Sequence, residues 1–86
     1  MAKKIGSRSH EARQRAAMAE FESYCAAHPR SPAAVRRPQL TIRGSSCVAL
    51  LGSTLQDGIA GIGGSVRDAL RAFDVQYLNA LRPPRA

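Results

Sequence analysis

The sequence predicts an α+β fold: an N-terminal helix, a linker, and a small antiparallel ββ(β)α unit with one helix packed on the sheet. Residues 39–43 alternate between apolar and polar side chains, which is typical of a strand with one buried face. From Val66 onward, apolar residues recur at helical spacing. Three prolines between Pro29 and Pro38 separate this unit from an earlier helix-like segment, because proline cannot continue a helical hydrogen-bond ladder.

The segments before the sheet are an arm, a helix and a linker. Residues 1–8 are basic and lack periodicity, which predicts a flexible basic arm. An amphipathic helix is predicted over 9–28, with Ser9 as N-cap and a packing partner required for its short apolar stripe. The Arg/Pro segment 29–38 predicts an extended linker. The predicted stripe comprises Ala17, Met18, Phe21, Tyr24 and Cys25.

The unit predicted over 39–82 begins with a hairpin. Leu40 and Ile42 point to one face of the first strand, and Thr41 and Arg43 point to the other. The turn 44–46 leads to an apolar strand over 47–51, which is predicted to be more central in the sheet. A third short strand is predicted over 59–62, where glycines indicate a bulge or a close backbone approach.

The last helix starts at Ser65, which has Asp68 three residues later as in a capping box. Asp74 is expected to pair with Arg71 on a solvated face. Pro83 and Pro84 end the helix and begin a tail over 83–86. The helix is predicted to lay one apolar face on the sheet, formed by Val66, Leu70, Phe73, Tyr77 and Leu81.

Composition limits the class of protein. The 86 residues allow one domain with a thin core, so a homodimer through a sheet edge or the second helix face is expected. Two cysteines, Cys25 and Cys47, are too few for a disulfide framework. The N-terminal residues lack the apolar run that a secretory signal needs. No stretch is long enough to span a bilayer. A cytoplasmic location is therefore predicted.

Three kinds of chemical site are disfavoured by their missing partners. The glycine-rich run 61–64 lacks both the third glycine of a dinucleotide fingerprint and the lysine of a P-loop. Cys25 and His28 have C-x-x-H spacing, but a second pair of zinc ligands is missing. A catalytic Cys or Ser would need a positioned base, and the two histidines are His10, near the flexible arm, and His28, beside a proline. The sequence predicts no enzyme activity, no metal and no cofactor.

Positive charge is the remaining signal. The net charge is +7, and 11 of the 13 basic residues are arginine, which favours bidentate contacts with phosphate or carboxylate. Most of these residues precede or begin the sheet unit, whose remainder is nearly neutral. The candidate binding residues are Lys3, Lys4, Arg8, Arg13, Arg15, Arg30, Arg36, Arg37 and Arg43.

One motif resembles a known family. A hairpin and a short glycine-rich strand lead into a helix start, in an order that is similar to the HicB-like antitoxin domain over residues 39–82. The resemblance implies a small sheet covered by one helix, and binding to another protein instead of catalysis. Such antitoxins usually carry a separate DNA-binding module after this unit, whereas here a basic helical segment precedes it. The matching residues are Gly61, Gly63, Ser65, Asp68, Ala69 and Leu70.

Three functions remain open at this point. The first is a non-enzymatic binding or inhibitor protein whose partner is a toxin or a nucleic-acid-acting protein such as a defence nuclease. In size and style the chain also resembles small accessory proteins of phages and mobile elements, some of which inhibit host defence nucleases. The second is direct DNA or RNA binding through phosphate contacts of the basic arm and linker. The third is a small subunit of a larger assembly.

Overall fold

Residues 2–81 form three helices and a three-stranded sheet. The structure, a computed structural model, describes the backbone of residues 2–81 and the side chains of residues 10–81. The strands form one antiparallel sheet in the order β1-β2-β3, so the predicted α+β class and ββ(β)α unit are confirmed. The predicted tail, 83–86, lies outside the described residues. In chain order the elements are α1 (Ala2–Ala27), α2 (Pro32–Arg36), β1 (Gln39–Arg43), β2 (Ser46–Leu51), β3 (Ile59–Gly63) and α3 (Val66–Leu81).

The inner face of the sheet carries progressively smaller side chains from β1 to β3. Leu40 pairs with Ala49, and Ala49 pairs with Gly61. All three residues are buried. The decrease in size brings α3 closest to the sheet at β3. The alternation predicted for β1 is therefore confirmed, with Thr41 and Arg43 exposed on the opposite face.

Gly61 is the point of closest approach between sheet and helix. A Cβ atom built on Gly61 would lie 2.2 Å from the carbonyl oxygen of Ala69 and 2.2 Å from the amide nitrogen of Phe73. Only a residue without a side chain fits between the two backbones. The predicted close approach in this strand is confirmed.

Helix α3 supplies the largest buried side chains, Phe73 and Leu70. Its start is capped as predicted, because the Ser65 hydroxyl accepts a hydrogen bond from the Asp68 amide at 3.1 Å. The predicted core position of Leu81 is wrong, since this side chain is 64% exposed. The 16 residues of α3 span about 24 Å, whereas the five of β3 span only about 17 Å. The last helical turn therefore lacks a covering strand. Val66 is buried as predicted and Tyr77 is half-buried.

Helix α1 finds the packing partner that its stripe requires. Ala17, Phe21 and Cys25, four residues apart, are buried in the same core as Phe73. The Gln14 side chain donates a hydrogen bond to the Leu40 carbonyl at 3.0 Å, which ties α1 to β1. No helix in the described part of the chain combines the length and apolar character that crossing a membrane would require.

Two predicted conformations before the sheet need correction. Helix α1 begins at Ala2 and includes most of segment 1–8, because Ala2, Lys3 and Lys4 are good helix formers and a single interior glycine costs only about 1 kcal/mol. The linker 29–38 is not extended throughout, since it contains α2. Pro32 occupies the first turn of this helix, and the Ser31 hydroxyl caps it by accepting from the Ala34 amide at 3.2 Å. A serine followed by a proline can therefore begin a new helix as well as end the preceding one.

Candidate functional site

The arginines predicted as contacts for a partner do not act as one group. Arg13 donates a hydrogen bond to the Gly44 carbonyl at the β1–β2 turn. Arg36 Nε donates to the Tyr77 hydroxyl at 2.8 Å. Arg37 pairs with Glu22. These three side chains hold different elements of the fold together. Arg15, Arg30 and Arg43 are exposed, and the side chains of Lys3, Lys4 and Arg8 lie outside the described residues.

Arg37, the residue directly after α2, links the C-terminal end of α2 to α1. Its backbone is left-handed, with φ of 50°, and its amide donates to the Ala33 carbonyl as a C-cap. Its guanidinium carbon lies 5.1 Å from the centre of the Phe21 ring. The hydrogen bond with Glu22 raises the pKa of Arg37 further above its ordinary value. This arginine is therefore already engaged within the fold.

A single carboxylate joins all three helices. Asp74 of α3 accepts a hydrogen bond from the Tyr24 hydroxyl of α1 at 2.6 Å and another from the Ala33 amide of α2 at 2.8 Å. Burial, reinforced by the hydrogen bond to Asp74, raises the pKa of Tyr24 to about 12. The expected pairing of Asp74 with Arg71 is wrong: among the described residues the partners of this carboxylate are Tyr24 and Ala33, and no ion pair joins it to Arg71.

A basic depression lies beside this junction, and we call it the α1–α3 cleft. It is lined by Tyr24 and His28 from the end of α1 and by Arg67 and Arg71 from α3. The Tyr24 and His28 rings lie 4.6 Å apart, centre to centre, and are tilted by 49°. A second part of the depression also contains Glu20, Ser23 and Ala27. The sequence analysis did not predict this site, because the two arginines belong to the part of the sheet unit that is nearly neutral overall.

Within the described part of the chain, no helix covers the second face of the sheet, and we call this the outer sheet face. One row across it runs from Thr41 through Val48 to Ile62. Ile62 is 59% exposed, and Leu55 from the β2–β3 loop is 52% exposed beside it. The remaining residues that line its shallow groove are Gln39, Arg43, Ser46 and Leu50. The groove is therefore mostly apolar at its centre and carries one positive charge.

The cysteines and histidines do not assemble into a metal site. Among residues 10–81, no three His, Cys, Asp or Glu side chains lie close enough together to hold an ion. Cys25 is buried, with its thiol 4.0 Å from the Ala33 carbonyl oxygen, whereas His28 is exposed. Burial raises the pKa of both the Cys25 and Cys47 thiols, which lowers their thiolate fraction at neutral pH.

Comparison of the chain with models of protein families, with curated proteins and with solved structures finds no match. The resemblance of residues 39–82 to the HicB-like antitoxin domain therefore stays a prediction.

Proposed function

We propose that this protein is a non-enzymatic binding protein that docks on an acidic partner protein through its outer sheet face. The observation that supports the proposal most directly is the pair of neighbouring apolar side chains, Val48 and Ile62, on a face that none of the described helices covers. Val48 lies at the centre of the row that begins at Thr41, with Ile62 largely exposed beside it. Contiguous exposed apolar surface, rimmed by polar residues, is typical of interaction sites.

Charge favours an acidic partner over a second copy of the chain. Arg43 is the charged residue among those that line the outer groove, and no carboxylate is found among them. The whole chain carries +7, so a second copy would bring the same positive charge, whereas a partner with an acidic rim would complement it. A toxin or a nucleic-acid-acting protein remains the proposed class, on the resemblance stated above. A cytoplasmic location belongs to this proposal and is supported by the two buried free thiols.

The proposal is tested by placing a charge on the outer sheet face. Full-length wild type, Ile62→Lys and Val35→Lys are immobilised and exposed to a nuclease-treated lysate of the native host. Val35 is the matched control because it is 65% exposed but lies on α2, away from the groove. We expect an acidic protein to be recovered by wild type and V35K and lost with I62K. With that protein purified, I62K should weaken binding by at least about tenfold and V35K by less than about twofold.

Three results would overturn the proposal. Equal affinity of I62K and wild type for the purified partner would remove the outer sheet face from the interface. The outer sheet face would also be excluded if the lysate yields no acidic protein that wild type captures and I62K does not. Sedimentation of the purified wild type as a dimer that dissociates in I62K would assign the face to a second copy, which is the homodimer that the sequence predicts.

A further inference from the structure

We propose that the α1–α3 cleft binds a phosphate group carried by a nucleotide or a nucleic-acid strand. This site lies on different elements from the outer sheet face, and the inference does not depend on the proposed docking function. It assigns a role to Arg67 and Arg71, which the sequence-based reasoning left out of the candidate binding residues.

The fold brings two guanidinium groups to one side of α3. Arg67 and Arg71 are four residues apart on this helix, so their side chains are neighbours along its surface. Both line the cleft together with His28 from the end of α1. Among the described residues neither arginine donates a hydrogen bond or pairs with a carboxylate, in contrast to Arg13, Arg36 and Arg37. Their hydrogen-bond donors therefore remain available to a ligand.

No carboxylate is among the residues that line the part of the cleft holding both arginines. Glu20 lies in the neighbouring part of the depression, which Arg67 also lines. Asp74 keeps its negative charge but is not among the residues that line the cleft, and its oxygens accept hydrogen bonds from Tyr24 and Ala33. The carbonyl end of α1 and the amide end of α3 meet here with opposite partial charges, so the side chains decide the sign of the site.

Phosphate is the anion that this donor set fits best. Guanidinium groups present parallel N–H donors that match the oxygens of a phosphate, and two of them can hold separate oxygens of one group. The Tyr24 hydroxyl donates to Asp74 and is not free to do so to a ligand. His28 is exposed and lines the cleft beside the two arginines, so its ring lies within reach of the base of a nucleotide whose phosphate they hold. That second feature favours a nucleotide or a strand over free phosphate.

The test is a titration of the full-length protein with inorganic phosphate, adenosine monophosphate and a short single-stranded oligonucleotide. Binding is followed by NMR through the Nε–H signals of Arg67 and Arg71. We expect saturable shifts of these signals with the nucleotide and with the strand, and weaker binding of inorganic phosphate. The double variant Arg67→Gln/Arg71→Gln should lose at least about tenfold in affinity for both ligands. Its salt dependence for the strand should fall by about 0.7 to 1.4 in log–log slope.

The control removes the same charge elsewhere. Arg15→Gln/Arg30→Gln changes two exposed arginines that do not line the cleft, and it should alter nucleotide affinity by less than about twofold. An equal loss in both double variants would mean diffuse attraction between a +7 chain and an anion, and would overturn the proposal. So would the absence of saturation with the nucleotide, or binding of inorganic phosphate as tight as that of the nucleotide. Circular dichroism of both variants verifies that the fold is retained.

Discussion

At the scale of the residue, Asp74 decides how the helices meet. Its two oxygens receive one donor from α1 and one from α2. The Ala33 amide belongs to the first turn of α2, where no intrahelical acceptor is available. A helix of five residues is not stable by itself, so the position of α2 depends on this carboxylate and on the Ser31 cap.

Alkaline pH should destabilise the protein through Tyr24. Its pKa is raised from 10.0 to about 12 in the folded state, so the unfolded chain loses this proton first as pH rises. The stabilisation is complete below pH 10 and disappears between pH 10 and 12. The variant Tyr24→Phe lacks this titrating proton. We expect urea unfolding midpoints of wild type to fall more steeply through this window than those of Y24F.

The two buried thiols also destabilise the protein as pH rises, and their effect begins at a lower pH than that of Tyr24. The pKa values of Cys25 and Cys47 are raised above an ordinary value of 9.0, so both contribute to the alkaline loss in wild type and in Y24F alike. The difference between the two curves therefore isolates Tyr24. Parallel curves throughout the window would show that the Tyr24 proton is no more tightly held in the folded state than in the unfolded chain.

At the scale of the element, the contact between β3 and α3 depends on one missing side chain. Gly61→Ala would place a Cβ atom 2.2 Å from two backbone atoms of α3. Neither backbone can give way without separating helix from sheet, so we expect a loss of about 3 kcal/mol or more in the free energy of unfolding. Gly64→Ala is the matched control, because nothing lies within 4 Å of its added carbon. This second substitution should be neutral or stabilise by up to about 1 kcal/mol.

Chemical denaturation of both glycine variants measures the difference. If G61A and G64A unfold at the same denaturant concentration, the close approach of the two backbones is not a constraint on the fold. A lower m-value in G61A would indicate that helix and sheet have partly separated in the native state.

Local patterns in the sequence predicted the elements better than they predicted the contacts between them. The alternation of Leu40 and Ile42 with polar neighbours, and the Ser65 cap, are signals that lie within a few residues, and the structure contains both. The partners of Asp74 lie 41 and 50 residues away in the chain. Spacing along one helix suggests the wrong partner, Arg71, because no local pattern reports which helices pack together.

The same limit applies to the candidate sites. That Arg67 and Arg71 share a face of α3 follows from their spacing, but His28 joins them only because α1 packs across the start of α3. The polar residues Thr41 and Arg43 predict from the sequence that one face of β1 is exposed. That Val48 and Ile62 continue this row depends on the strand order and register, which the sequence alone leaves unspecified.

At the scale of the whole molecule, α1 belongs to the same core as the sheet unit. Phe21 is 2% exposed and lies in one cluster with Leu40 and Phe73. The sequence places a helix and a linker before a core over 39–82 and predicts that the helix needs a packing partner, without identifying that partner. The packing implies that helix and sheet unfold together, because removing Phe21 opens a cavity against both.

The variant Phe21→Ala tests whether helix and sheet unfold together. We expect it to lower the free energy of unfolding by about 3–5 kcal/mol and to accelerate hydrogen exchange at the β2 amides, including Ala49, to the same degree as at the α1 amides. Met18→Ala is the control on the same helix, since Met18 is 38% exposed and should cost less than about 1 kcal/mol. If F21A proves too unstable to study, Phe21→Leu reduces the cavity and keeps the comparison. Retained protection of β2 in a variant whose α1 has lost its own would show that residues 39–82 fold independently of α1.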